Sequence, residues 1–413
     1  MYQIITLPNG VRLACEHMEG VRSAAVGIWV GVGSRNEKRG EEGSAHFIEH
    51  MLFKGTERSD AASLAGRMDA IGGQINAFTS RESTCFYARV LDTHLPEACD
   101  ILTEMFFDSL FAQEDVSNEL GVVLEEIDMY RDTPEDLVVE QLLLRVFPGS
   151  LGHPVLGRPA ALKTMTGASL RDFKDREYSP ERIVVSLCGS FTDADLERLR
   201  ECFSAMAPGR PARYRKTVYA PGSVFKRKAT EQNHFCLTWP GLPEGSEERF
   251  AWQVLSMVLG GGMSSRLFQT VRERYGLCYS ISSFTASFAD TGIFGVTTAV
   301  GRESEEKALS LVRQEIDRFL DGGITPQELS RAREQIKSGV VLSMESTSAR
   351  MNRLGSAMLY QGRCLTADEI IERYNGVTAE DVLALARRTF LRENMSFSAV
   401  GRLAPPENYM SIF

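Results

Sequence analysis

Residues 165–189 read MTGASLRDFKDREYSPERIVVSLCG, and residues 377–401 read VTAEDVLALARRTFLRENMSFSAVG. Laid over one another at an offset of 212, they match Thr166 with Thr378, Leu170 with Val382, Tyr178 with Phe390 and Gly189 with Gly401. A second echo, at an offset of 208, places FTSRESTCFYARV (78–90) on ASFADTGIFGVTT (286–298). One fold therefore occurs twice. A chain of 413 residues is also too long for one ordinary core and suggests two domains of about 200 residues each. The join is expected in the Pro/Gly/Arg-rich segment 208–222, where regular patterning lapses. This gives an N-terminal domain over 1–210, a linker over 211–222 and a C-terminal domain over 223–413.

The first copy shows what the repeated fold contains. MYQIITLPNGVRLACEH alternates like two strands broken by a Pro-Asn-Gly turn. SAAVGIWVGVGSRNE reads as a buried strand. DAASLAGRMDAIGG reads as a helix capped by Asp60. QINAFTSRESTCFYARV reads as two strands joined by a polar turn at 80–83, helices follow near 94–110 and 114–130, and further helices run to Tyr178 before a last strand, RIVVSLCG. Strands, then helices, then a strand suit an α+β fold: two repeated domains, each a mainly antiparallel sheet covered by helices on one face.

Composition narrows the function. A net charge of −9 with no basic stripe argues against a nucleic-acid surface. It fits an acidic, peptide-attracting chamber about as well as generic solubility, and solubility is the simpler reading. No apolar run is long enough to span a membrane, and the N-terminus carries neither an export nor an import pattern. The eight cysteines are scattered without C-x-x-C pairs and read as reduced core residues of a cytoplasmic protein.

The chemistry is concentrated at His46-Phe47-Ile48-Glu49-His50, followed by MLFKG. On a helix, His46 and His50 lie one turn apart and Glu49 projects from the same face. Two neutral imidazoles can hold a zinc ion and leave room for a third ligand and a water, and an adjacent carboxylate can take that water's proton. The order is the inverted H-x-x-E-H signature. With six histidines in the chain, accidental matches are expected about 0.007 times. The second half has no such motif, nor does its triple glycine 260–262 introduce a phosphate loop.

A third ligand is available on the 114–130 helix, whose apolar stripe is Val116, Leu120, Val123 and Ile127. Glu119 and Glu126 are two turns apart and share a line beside that stripe, whereas Glu125 points roughly opposite, to water. Glu126 is thus the better ligand. Glu119 reads either as a residue orienting a ligand from behind or as ordinary solvated charge.

His46, Glu49, His50 and, 76 residues after His50, Glu126 in NELGVVLEEIDMY resemble the site of the pitrilysin, insulysin and mitochondrial processing peptidase family of zinc peptidases. The resemblance covers the whole chain and is nearest to small bacterial members similar to the processing peptidase β subunit. It implies one Zn2+ per chain, bound by His46, His50 and Glu126, with Glu49 as the base. It also implies that Arg272 and Tyr279, in RERYGLCY, reach across a cleft to substrate and transition state; read without it, they are a solvated helix charge and a strand residue. Asn76-Ala77-Phe78-Thr79 similarly resembles the family's edge strand, which takes up peptides by strand addition; read alone, Asn76 suits a turn and Phe78 a core. The resemblance implies a zinc endopeptidase for unfolded or extended peptides enclosed between domains. Family members enclose substrate between two such two-domain halves, so a homodimer or a heterodimer with a paralogue is implied. The rival expectation is a non-catalytic partner subunit.

Overall fold

The structure is a computed structural model that describes residues 2–209 and 216–413. Residues 211–215 of the expected linker lie outside the described residues.

The first sheet has six strands: β1 (Tyr2–Thr6), β2 (Arg12–His17), β3 (Ser23–Val30), β4 (Gln74–Thr79), β5 (Thr84–Leu91) and β6 (Ile183–Gly189). Their order is β1-β2-β6-β3-β5-β4. Every neighbouring pair is antiparallel except β2 with β6. The second sheet has five: β7 (Ser223–Arg227), β8 (Asn233–Pro240), β9 (Cys278–Ser287), β10 (Gly292–Val300) and β11 (Ser396–Gly401). Their order, β7-β11-β8-β10-β9, repeats β2-β6-β3-β5-β4 strand for strand, and again only the outer pair, β7 with β11, is parallel.

The quoted repeat is a structural unit. Thr166 caps the Gly167–Glu177 helix, its hydroxyl accepting from the Ser169 N–H while Ser169 reaches back, and Thr378 and Asp381 do the same for the Ala379–Thr389 helix. Each helix leads through one short turn into an inner strand of its sheet, β6 or β11. Each strand ends in a glycine with φ of +118° (Gly189) or +150° (Gly401). A Cβ there would stand 2.3 Å from the Ser23 carbonyl oxygen or 2.1 Å from Asn233 Oδ1, so no other residue fits either place.

Helices of the same half cover one face of the first sheet. Val26, Ile28, Val30, Phe86 and Ala88 pack there against Phe47 and Ile48 of the Ser44–Met51 helix and Leu102, Met105 and Phe106 of the Leu95–Asp108 helix. The other face is not left to water. Ala14, Ala25, Trp29, Cys85 and Val184 pack against Met351, Leu354 and Met358 of the Thr347–Tyr360 helix. The two surfaces interlock: a Cβ on Gly27 would stand 2.4 Å from Met351 Sδ, and one on Gly355 would stand 2.2 Å from the Trp29 ring nitrogen. In the second unit the Pro134–Val146 helix lies on its sheet in the same way, through Leu137, Val138, Leu142 and Val146 against Cys236 and Val400.

The compact units of the structure do not follow the expected boundaries 1–210 and 223–413. One compact unit is Met1–Ile127, His153–Arg215 and Leu342–Thr366; the other is Asp128–Gly152, Lys216–Val341 and Ala367–Phe413. The physical reason is that β3 and its neighbours are apolar on both faces and need two covers, and each half of the sequence lends one helix to the other half's sheet.

All eight cysteines are free and all but Cys202 are buried. Among the described residues no helix is long and apolar enough to cross a membrane.

Candidate metal centre

The Ser44–Met51 helix is held at both its start and its inner face. Gly43 before it has φ of +103°, and a Cβ there would lie 2.8 Å from Leu162 Cδ2. Glu37, buried to 3% exposure, caps the first turn: Oε2 accepts from the Gly43 N–H at 2.8 Å and Oε1 from the Ala45 N–H at 2.9 Å. Burial pushes the Glu37 carboxyl well above the usual carboxylate range, against the pull of those two N–H groups. Phe47, Ile48 and Met51 enter the core, which fixes the rotation of the helix and presents His46, Glu49 and His50 together.

His46 Nε2 and His50 Nε2 stand 3.3 Å apart, and Glu126 Oε2 is 3.6 Å from each. Among the described residues these are the group of three whose donor atoms converge as metal ligands do. The spacing is chemically informative. Two nitrogens each bound at roughly 2.05 Å to one tetrahedral zinc ion stand about 3.4 Å apart, so the donor set fits Zn2+. Burial, with a smaller contribution from neighbouring His50, lowers the His46 pKa to about 3, so its imidazole is neutral and has a lone pair to give. Its Nδ1 is buried with no hydrogen-bond partner among the described residues.

Glu126 reaches the histidines from the Gln113–Asp132 helix, which buries Val116, Val123 and Ile127, while Glu125 is exposed, as its place on the helix requires. Two turns before Glu126, Glu119 is only 5% exposed, and its Oε1 lies 2.8 Å from His50 Nδ1. Its other oxygen is 2.5 Å from Lys54 Nζ. Burial alone would raise the Glu119 carboxyl, but the bonds from Lys54 and His50 outweigh it and hold it below the ordinary value. Of the two readings of Glu119, the geometry leaves no room for a solvated charge.

Glu49 is half-buried and accepts a hydrogen bond from the Thr79 hydroxyl at 2.5 Å. Burial raises its pKa and Glu126 adds to this, while the Thr79 bond and His50 oppose. Thr79 closes β4, which pairs with β5 alone and so leaves its outer edge free among the described strands. Alternation sorts the strand's side chains. Ile75 and Ala77 face the same core as the Ser44–Met51 helix, as does Thr79. Phe78 stacks edge-on against Trp29 at 5.4 Å on the opposite face. Asn76 shares the Phe78 face, and its Oδ1 accepts from the Ala77 N–H at 2.8 Å. What the edge offers beside Glu49 is its backbone rather than the Asn76 side chain.

Arg272 and Tyr279 belong to the second unit. Arg272 sits in a π-helical segment, Phe268–Arg274, a rare form often found at functional positions. Its guanidinium lies 4.5 Å from the Phe268 ring centre and 5.1 Å from that of Tyr279, and Tyr279 is 80% exposed.

Three contributors escaped the sequence reading. Thr79 and Lys54 stand inside the quoted motifs without an assigned role, and Glu37 gives no signal beyond being an acidic residue shortly before a helix.

Comparison with known proteins finds two family models along the chain. Residues 12–158, which hold the three donors and Glu49, match the family model described as insulinase (peptidase family M16), and residues 164–336 match one described as the peptidase M16 inactive domain. The uncharacterized zinc protease YmxG of Bacillus subtilis is 40% identical over 395 residues, spanning 95% of this chain and 97% of its own. An uncharacterized zinc protease of Streptomyces coelicolor is 41% identical over 409 residues, spanning 96% and 89%. In fold, the chain is similar to a peptidase M16 inactive domain from Pseudomonas fluorescens (TM-score 0.91, 20% identity, 98% of each chain). It is also similar to a protease from Helicobacter pylori (TM-score 0.89, 19% identity, 97% of this chain and 99% of that one). With relatives two-fifths identical along nearly its whole length, and with the family's H-x-x-E-H residues set on one helix face, the chain belongs to the insulinase family, peptidase family M16.

Proposed function

We propose that this protein is a zinc-dependent endopeptidase acting on unfolded or extended peptides. The observation that carries the reading is the convergence of His46 Nε2, His50 Nε2 and Glu126 Oε2 at tetrahedral-ligand spacing beside the Glu49 carboxylate. The names of its relatives support both the metal and the activity.

His46, His50 and Glu126 would hold one zinc ion per chain, which supplies, when bound, the charge that polarises a peptide carbonyl and acidifies a water molecule. Glu49 accepts the proton of the attacking water and passes it to the leaving amine. Thr79 holds the carboxylate in place through its hydroxyl. Glu119 accepts from His50 Nδ1 and so fixes the tautomer that leaves Nε2 free for the metal. The free edge of β4 takes the peptide as an added strand, Ala77 and its neighbours offering backbone donors and acceptors without reading sequence. The resemblance assigns Tyr279 to the developing oxyanion and Arg272 to a substrate carbonyl or C-terminus; enclosure of the peptide in a cleft, and a homodimer or heterodimer, follow from it also. Eight unpaired cysteines support a reducing, cytoplasmic setting.

The test is cleavage of a quenched mixed-peptide library by purified protein, Glu49→Gln and a chelated control, with metal content by mass spectrometry. About one zinc per chain is expected in wild type and Glu49→Gln alike, with hydrolysis only in the former. Zinc without cleavage in wild type would favour the partner-subunit reading; absence of metal would overturn the assignment of His46, His50 and Glu126.

A further inference from the structure

We infer that Lys54 sets the metal affinity of the centre by drawing charge from Glu119, the carboxylate that braces His50. This rests on the zinc reading above and adds a residue to it.

Lys54 lies in the turn that leaves the metal-bearing helix, its N–H donating to the Met51 carbonyl at 3.1 Å. Its ammonium is 2.5 Å from Glu119 Oε2, while the other oxygen of that carboxylate is 2.8 Å from His50 Nδ1. One carboxylate thus links a fixed cation to the back of a ligand whose front nitrogen faces His46 and Glu126. An exposed ion pair contributes little because water screens it. This one is different, since Glu119 is 5% exposed and can divide its charge only between its two partners.

The consequence has a definite sign. A carboxylate that accepts Nδ1–H makes the imidazole a stronger donor at Nε2. Neutralised on its far side by an ammonium, it accepts less strongly. Lys54 therefore holds His50 below its full donor strength, which loosens the metal and leaves it more electron-poor for carbonyl polarisation. Removing the lysine should tighten zinc binding, whereas removing the carboxylate should weaken it. A residue that merely held the turn in place would, when lost, weaken binding.

The experiment is a zinc titration of the full chain against a chromophoric chelator, for wild type, Lys54→Met, Lys54→Gln, Lys54→Arg, Glu119→Gln and the Lys54→Met/Glu119→Gln pair. Lys54→Met and Lys54→Gln are expected to bind zinc several-fold more tightly, and Lys54→Arg as wild type. Glu119→Gln should bind about 10- to 100-fold more weakly, and in that background Lys54→Met should have a much smaller effect. Nuclear magnetic resonance adds a second readout: in zinc-loaded protein the His50 Nδ1–H proton moves downfield on loss of Lys54. Unchanged or weaker zinc binding in Lys54→Met and Lys54→Gln would overturn the inference, as would an equal effect with and without Glu119, which would mean that the lysine acts by its own charge alone. Failure of wild type to take up zinc would overturn the metal reading itself. Lys54→Gln carries the test if Lys54→Met does not fold.

Discussion

Thr79→Val removes one hydroxyl while keeping the shape of the side chain, so it isolates the bond that holds Glu49. That bond is 2.5 Å long, and Thr79 is the only hydrogen-bond partner of the Glu49 side chain among the described residues. The substitution strands nothing else: Thr84 Oγ1, 3.3 Å from the Thr79 hydroxyl, keeps its own acceptor in the Val32 carbonyl at 2.9 Å. A hydrogen bond to a charged group contributes about 1.5–3 kcal/mol. If that is spent on placing the base for proton transfer, kcat falls by about 13- to 160-fold with KM little changed. The assay is steady-state cleavage of the best peptide from the quenched library. Thr79→Ser, which restores the hydroxyl, should recover most of the rate, and zinc content should stay at the wild-type level because Thr79 touches none of the three donors. Wild-type turnover in Thr79→Val, or an equal loss in Thr79→Ser, would refute the reasoning.

Two further outcomes test the fold rather than the site. Met351→Ala, in the helix that covers the far face of the first sheet, should cost about 2–5 kcal/mol of stability. Gly27→Ala alone should also destabilise, by about 1–3 kcal/mol, because its methyl would meet Met351 Sδ. Urea unfolding of the pair together should show less than the sum, and strict additivity would contradict the interlock. Acid should act through Glu328. Burial raises that carboxyl, but Arg266, bonded to both its oxygens at 2.7 and 2.8 Å, together with the Thr325 N–H and hydroxyl, lowers it to about 2. A depressed carboxyl contributes stability that is fully present above its unfolded pKa and fades as pH falls toward the folded one. The stability gap between wild type and Glu328→Gln should therefore be full near pH 6 and shrink below about pH 4.5. A gap independent of pH would show that the charge is not what matters there.

Much of this protein was legible along the chain because the signals are local. The Asp60 cap accepts from the Ser63 N–H as its position suggests, and the 80–83 turn joins β4 to β5. The doubled order of strands follows the doubled sequence. That Glu126 lies toward the histidines while Glu125 faces water needed only the angle per residue of a helix, and the shared face of His46, Glu49 and His50 needed only one turn of it.

What the sequence by itself determined is set by interactions within a turn or two: which stretches are helix or strand, that one fold occurs twice, and that three donors of metal-binding type share accessible faces. Tertiary structure alone decided which surfaces meet. An apolar helix stripe is equally suited to either sheet, so only packing assigns Thr347–Tyr360 to the first sheet and Pro134–Val146 to the second. The partners of the site are likewise far apart in sequence. Thr79 reaches Glu49 across 30 residues, and Glu119 reaches His50 across 69. Glu37 becomes a helix cap only because the chain folds it under Gly43 and Ala45. Periodicity fixes the direction in which a side chain leaves its own element; what it meets there depends on how that element is buried against others, which no local pattern encodes.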